Sequence, residues 1–225
     1  MTMKYRAILF DLDGTLVTME MDFKGLRIEL EAIYRSYGMR HEDITWGRAT
    51  IDSIKEFRRR MDEQGLPGRE ALEAVKQRIH SYELEQAPKA QAIPGAVGLL
   101  SWLRDEGYRI AVATRNNRDA AWCSMENTGI LPFVDLLVAR DDVQRMKPHP
   151  EQFERVFEAL GIAPAETLVV GDYSFEIEAG RALGCHTVGV LTGTGTREDL
   201  ADADIVIPSV ADLRSYLKYK LINNS

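Results

Sequence analysis

A parallel α/β sheet flanked by helices, with a small α-helical segment inserted into it, is what this 225-residue sequence predicts. Three observations carry that expectation. Short apolar runs recur at 6–10, 109–113, 134–138, 167–171 and 186–190, with a weaker one at 204–207. They are rich in Val and Ile without clear alternation, as strands buried on both faces are. Helical periodicity fills the gaps between the later runs, and strand–helix alternation points to a parallel sheet. The third observation is a break in the pattern, because 18–90 contains no convincing strand.

The first strand, ending on Leu9-Phe10, runs into Asp11-Leu12-Asp13-Gly14-Thr15. Residues i and i+2 of a strand point the same way, so Asp11 and Asp13 can project together from its C-terminal end. Paired carboxylates repel unless a cation or proton lies between them. The pair suits a metal site with one carboxylate acting as nucleophile. Taken alone, Asp-x-Asp-Gly reads better as two solvated acids in a turn.

Within the insert, Leu26, Leu30, Ile33, Tyr34 and Tyr37 define one helical face that stops at Gly38. Thr45 is a candidate cap for a second helix carrying Ile54, Phe57 and Met61 and ending by Gly65. A third, with Leu72, Val75, Ile79 and Tyr82, ends before Pro88. The boundaries follow: 1–17 and 91–225 form the α/β core, and 18–90 the helical cap. Because the insert follows the Asp-Gly-Thr turn directly, it is expected to serve as a lid.

Beyond the insert, three further positions bring a polar group. Thr114 ends the run 109–113, Lys147 stands in the stiff Lys-Pro-His-Pro loop, and Gly171-Asp172 ends 167–171, with Glu176 one helical turn later. Each has a plain reading as a helix cap or a surface cation. Phe153, Val156, Phe157 and Leu160 share a helical face ahead of Gly161, and Ser209 with Asp212 forms a capping box before Leu213. Ligands of such sheets collect at the C-terminal ends of the strands.

In the order Asp-x-Asp, Thr, Lys, Gly-Asp, these strand ends resemble the four motifs of the haloacid dehalogenase-like (HAD) hydrolase superfamily, and the resemblance spans the chain. The insert resembles the small helical cap of the subgroup that includes phosphoglycolate phosphatases and β-phosphoglucomutases. The resemblance implies a Rossmann-like core with Asp11 as a nucleophile forming an aspartyl-phosphate and Asp13 as general acid and base. It implies Mg²⁺ on Asp11, the backbone carbonyl of Asp13, and Asp172. Thr114 and Lys147 would bind the transferring phosphoryl group, helped by N–H groups of the Leu12–Gly14 turn.

Elementary chemistry agrees. A phosphate monoester repels an anionic nucleophile, so positive charge must bring them together, and Mg²⁺ with Lys147 would supply it. Two departures from the motifs stand out. Glu176 occupies the last position of the fourth motif, where Asp is usual, and is expected to reach the metal through water. After Thr114, where relatives carry Asn, this chain has Arg115 and then Asn116. Arg115 is either a solvent-facing residue at a helix start or a guanidinium for a second anionic group on the substrate.

The function so implied is a Mg²⁺-dependent phosphatase for a small phosphorylated metabolite resembling phosphoglycolate. A phosphomutase of the β-phosphoglucomutase type is the runner-up, and a non-enzymatic binding or regulatory domain a third reading. A dehalogenase fits poorly, because those relatives need no metal and lack an equivalent of Asp13.

A net charge of −7 argues against a nucleic-acid surface. No membrane span or signal peptide is evident, and two cysteines without a pairing pattern, Cys123 and Cys185, fit a reducing compartment, the cytoplasm. The Gly193-Thr194-Gly195-Thr196 run reads as a flexible loop, Arg58-Arg59-Arg60 as a solvated helix face, His149 as without a role, and Trp46, Trp102 and Trp122 as core.

Overall fold

The computed structural model describes residues 5–18, 21–47 and 50–223. The chain divides into two compact units, Met1–Met19 with Ala87–Ser225, and Glu20–Gln86.

The larger unit holds a six-stranded parallel sheet formed by β1 (Ala7–Phe10), β4 (Arg109–Ala113), β5 (Leu136–Val138), β6 (Thr167–Gly171), β7 (His186–Val190) and β8 (Ile205–Ile207), in the order β5-β4-β1-β6-β7-β8. A two-residue antiparallel ladder between β2 (Val17–Thr18) and β3 (Gln91–Ala92) ties together the chain on either side of the smaller unit.

Both sheet faces are covered. Ile8, Phe10, Ile110, Val112, Leu168 and Val170 enter one apolar core, while Leu9, Ala111, Ala113 and Val169 enter the other. This is why these runs read as continuous apolar stretches, since each successive side chain alternates between two buried faces. Burying a Leu, Ile or Phe contributes about 1.5–3 kcal/mol. Helices α4 (Ala96–Asp105), α5 (Arg118–Asn127), α6 (Glu151–Leu160), α7 (Ser174–Leu183) and α8 (Leu213–Asn223) belong to the same unit. Ser209 Oγ accepts from the Ala211 N–H at 3.3 Å, and Asp212 Oδ2 from the Ser209 N–H at 3.1 Å, the capping box anticipated before Leu213.

The smaller unit packs α1 (Phe23–Ser36), α2 (Thr50–Glu63) and α3 (Gly68–Gln86) around Leu30, Tyr34, Phe57, Met61, Val75 and Ile79. Tyr34 and Trp46 each meet the Phe57 ring edge-on, at 5.2 and 5.0 Å between centroids. Arg58 and Arg59 pair with Asp62 and Glu56 on the exposed face of α2, where such pairs contribute little.

Three expectations need correction. Thr45 does not open α2, since residues 44–47 are irregular and the helix is described from Thr50. The chain at Ile44 is extended (φ −94°, ψ 97°), and Ile44 and Trp46 pack on the helical core instead. The run 134–138 is a strand only from Leu136, because a 3₁₀ turn occupies Leu131–Phe133 and the Asp135 carboxylate accepts the Ile110 N–H at 2.7 Å. Trp122 is 48% exposed, because α5 turns Ala120, Ala121, Ser124 and Met125 inward.

Candidate active site

The sheet order places β1 between β4 and β6, with Phe10 level with Val112 on one side and Val170 on the other. The chain leaves β1 toward β4 and β5, then returns to β6 on the opposite flank. This is the switch point at which parallel sheets open a crevice at their carboxyl ends. Asp11, Thr114 and Asp172 follow the last residues of β1, β4 and β6 respectively.

The turn after β1 is held by its own backbone. Leu16 and Val17 N–H donate to Leu12 O at 2.9 and 3.0 Å, and Gly14 N–H to Val17 O at 2.7 Å. Gly14 has φ +89°, a conformation open to glycine, and a Cβ there would lie 2.7 Å from Asp172 Oδ2. Its N–H closes the turn, which removes that amide from the phosphate-binding set expected from the sequence. Leu12 is fully buried in the core.

Lys147 is the centre of charge. It is fully buried, and its ammonium donates to Asp11 Oδ1 at 2.7 Å and to Ala113 O at 2.6 Å. Glu176 Oε1 lies 2.7 Å away on the same nitrogen. Burial disfavours the charged lysine, but the Asp11 and Glu176 carboxylates outweigh it, and its pKa is raised. The peptide bond from Lys147 to Pro148 is cis. Glu176, expected from the sequence to reach a metal through water, has Oε1 on Lys147, while its buried Oε2 has no hydrogen-bond partner.

Asp172 is 5% exposed and accepts the Thr194 N–H on Oδ2 at 2.9 Å. Burial first, then the charges of Asp11 and Glu176, push its pKa up to about 8. Glu176 is raised as well, mainly by burial, with Lys147 opposing. Three buried carboxylates thus face one ammonium, a surplus of negative charge that a divalent cation would relieve. Among the described residues no trio of His, Cys, Asp and Glu side chains forms a metal cluster. The buried carboxylates of Asp11 and Asp172 are oxygen donors, few in number, of the kind that suits Mg²⁺, an ion that retains several waters.

Asp13 Oδ2 lies 3.5 Å from Thr114 Oγ1 and 3.4 Å from Asn116 Nδ2. Thr114 Oγ1 also accepts the Asn116 N–H at 3.0 Å, and Asn117 Oδ1 caps α5 by accepting the Ala120 N–H at 2.9 Å. Thr114 is therefore not the cap of α5. Arg115 lies before that helix rather than on it. Its guanidinium donates to Lys147 O at 2.5 Å and stacks on Phe175, 4.2 Å from the ring centroid.

Two parts of the site escaped the sequence reading. The loop at 193–196, expected to be flexible, wraps Asp172. A Cβ on Gly193 would fall 1.9 Å from Asp172 Oδ2, and one on Gly195 2.0 Å from Asp172 O. Thr192 Oγ1 donates to Gly14 O at 2.7 Å. The paired glycines were the available signal, and what they admit is a carboxylate rather than a phosphate. The second is Gln152, which bonds to the backbone of both Lys147 and Thr114 and which no motif marked. His149 Nδ1 accepts the Glu151 N–H.

Comparison with known proteins agrees with this geometry. Residues 8–190 match the family model described as haloacid dehalogenase-like hydrolase. A validoxylamine A 7'-phosphate phosphatase from Streptomyces hygroscopicus subsp. limoneus is 30% identical, with 93% of this chain and 96% of the relative aligned. Pyrophosphatase PpaX of Halalkalibacterium halodurans is 31% identical, over 94% and 96% respectively. A crystal structure of a predicted phosphoglycolate phosphatase from Haemophilus somnus superposes with a TM-score of 0.72 at 20% identity, over 95% of this chain and 98% of that one. It shares the fold. Motif order, sheet topology and full-length similarity converge: the chain belongs to the haloacid dehalogenase-like hydrolases and is a phosphatase of that family.

Proposed function

We propose that this phosphatase is Mg²⁺-dependent and hydrolyses a small phosphorylated metabolite, phosphoglycolate-like in size and charge, through an aspartyl-phosphate on Asp11. The observation that supports this best is the Asp11–Lys147 contact of 2.7 Å inside a buried cluster that also holds Asp172 and Glu176. A nucleophilic carboxylate needs a neighbouring cation when its target is itself an anion, and Lys147 is placed to be that cation.

In the first step an Asp11 oxygen bonds to phosphorus, the bond from phosphorus to the ester oxygen breaks, and Asp13 gives its proton to that leaving oxygen. Asp13, now a carboxylate, next takes a proton from water as the water oxygen bonds to phosphorus. The bond from phosphorus to Asp11 breaks, and inorganic phosphate leaves. Lys147 counters the charge that Asp11 brings to the reaction, and Thr114 offers its hydroxyl to a phosphoryl oxygen. Bound by Asp11, the Asp13 carbonyl and Asp172, Mg²⁺ would supply the remaining positive charge to the phosphoryl oxygens.

The helical unit, which enters the chain directly after the Asp-Gly-Thr turn, is read as the cap that excludes bulk water and selects substrate. Relatives named for validoxylamine 7'-phosphate, pyrophosphate and phosphoglycolate have a small phosphorylated compound in common, and that class is assigned here. A net charge of −7 favours no nucleic-acid partner. No helix among the described residues is long and apolar enough to cross a membrane. The free thiols Cys123 and Cys185 favour a cytoplasmic address.

The test is release of inorganic phosphate from a panel of phosphorylated metabolites and an aryl phosphate, with and without Mg²⁺. Release that needs the metal and disappears in Asp11→Asn, by several orders of magnitude in kcat, is the expected result. Isomerisation of a sugar phosphate without phosphate release would replace this reading with a mutase.

A further inference from the structure

Gln152 is fully buried at the start of α6, and both ends of its amide are engaged. Its Oε1 accepts the Lys147 N–H at 2.9 Å. Its Nε2 donates to Thr114 O at 2.8 Å and to Val138 O at 3.3 Å. The partners fix the orientation of the amide, because Lys147 offers a donor and the other two offer acceptors. A buried primary amide is tolerated only when so satisfied. One side chain thus joins the Lys147 loop to the ends of β4 and β5.

We propose that Gln152 is a positioning residue that holds the two expected phosphate-binding residues, Lys147 and Thr114, at a fixed separation. The Lys147 ammonium donates to Ala113 O, one residue from Thr114. The lysine is therefore tied to the end of β4 twice, by its ammonium directly and by its backbone through Gln152. Neither residue can shift without breaking a buried hydrogen bond. Asn at this position is one methylene shorter, and an ionised Glu offers no donor to the two carbonyls. The inference rests on the phosphatase reading above and adds to it a residue outside the four motifs.

The experiment compares Gln152→Leu and Gln152→Glu with wild type, by kcat and KM for an aryl phosphate in saturating Mg²⁺ and by thermal unfolding. Leu removes every contact of the amide at similar volume. Glu keeps the acceptor for the Lys147 N–H and sets an oxygen against Thr114 O and Val138 O. Positioning of reacting groups predicts that kcat falls roughly 10–100-fold in both folded variants, more than KM rises. A kcat within about twofold of wild type in either folded variant would overturn the proposal, and a lowered unfolding midpoint alone would leave Gln152 a structural residue. If Leu does not fold, the Glu variant decides by the same criterion; failure of both to fold would assign Gln152 to the fold and overturn the proposal. Should wild type release no phosphate from any ester, the phosphatase reading fails by itself. The crystal structure of the folded variant then decides this inference. A changed separation of Lys147 from Thr114 supports it, and an unchanged separation overturns it.

Discussion

Glu176 Oε1 and Asp11 Oδ1 lie at the same 2.7 Å from Lys147 Nζ, the ammonium of a lysine with no solvent exposure. The fourth-motif acid is therefore part of how the lysine stays charged in the interior. Removing one partner of a buried ion pair typically costs about 3–5 kcal/mol. Asp11 and Ala113 O remain in Glu176→Ala, so the low end applies, about 3 kcal/mol, or a midpoint lowered by roughly 6–12 °C for a chain of this size. Thermal unfolding in chelator reads this without any metal present. A midpoint unchanged in chelator, with only Mg²⁺ activation weakened, would return Glu176 to the metal.

How much of the fold is legible in the sequence follows from which contacts are local. Strands β4, β6 and β7 were legible to the residue because each is buried on both faces and bounded by polar residues. The placement of Asp11, Thr114 and Asp172 was legible because each closes such a run, and Lys147 stood out in its Pro-bounded loop. The Lys147–Glu176 pair, the Gln152 bridge and the Gly193 cradle on Asp172 were not. Each joins segments whose proximity is set by strand order, which periodicity does not encode. Trp122 and Thr45 failed for the opposite reason: helical spacing and cap chemistry were read where the neighbouring elements face or begin elsewhere.

Asp172 gives the metal-free protein a characteristic pH dependence. Its folded-state pKa, about 8, lies above the ordinary 3.8. Between these values the folded protein binds more protons than the unfolded one, so stability falls as pH rises. Its contribution is complete below about pH 4 and lost through about pH 8. In chelator, the wild-type midpoint should fall from pH 5 to 8 more steeply than that of Asp172→Asn. Mg²⁺ should bind more tightly as pH rises through this window and release a proton as it does so. Parallel slopes for the two proteins would remove Asp172 as the source.

Gly193→Ala tests the cradle. Its Cβ would stand 1.9 Å from Asp172 Oδ2, so either the loop or the carboxylate must move. Overpacking of this kind costs about 1–3 kcal/mol, and a displaced ligand should weaken Mg²⁺ activation roughly 10–100-fold. Gly98→Ala is the matched control. It lies within α4 with nothing inside 4 Å of a new Cβ, and should stabilise by about 0.5–1 kcal/mol. Equal Mg²⁺ titrations for wild type and Gly193→Ala would show that the loop does not hold Asp172 in place.

Arg115 offers two outcomes that kinetics can separate. Its guanidinium is engaged with Lys147 O and the Phe175 ring, contacts that brace the lysine loop against the segment carrying Glu176. As a brace it serves every substrate alike, because every phosphoryl group meets the same lysine. Arg115→Ala should then lower kcat for phosphoglycolate and for a neutral sugar phosphate by a common factor of about ten, the worth of one charge-assisted hydrogen bond at its lower end. As an anchor for a second anionic group it would act on phosphoglycolate alone, whose carboxylate is that group, raising its KM and narrowing its advantage. The observed contacts favour the brace, so the ratio of kcat/KM between the two substrates should stay within about threefold of wild type. A selective loss for phosphoglycolate would place Arg115 against the substrate instead.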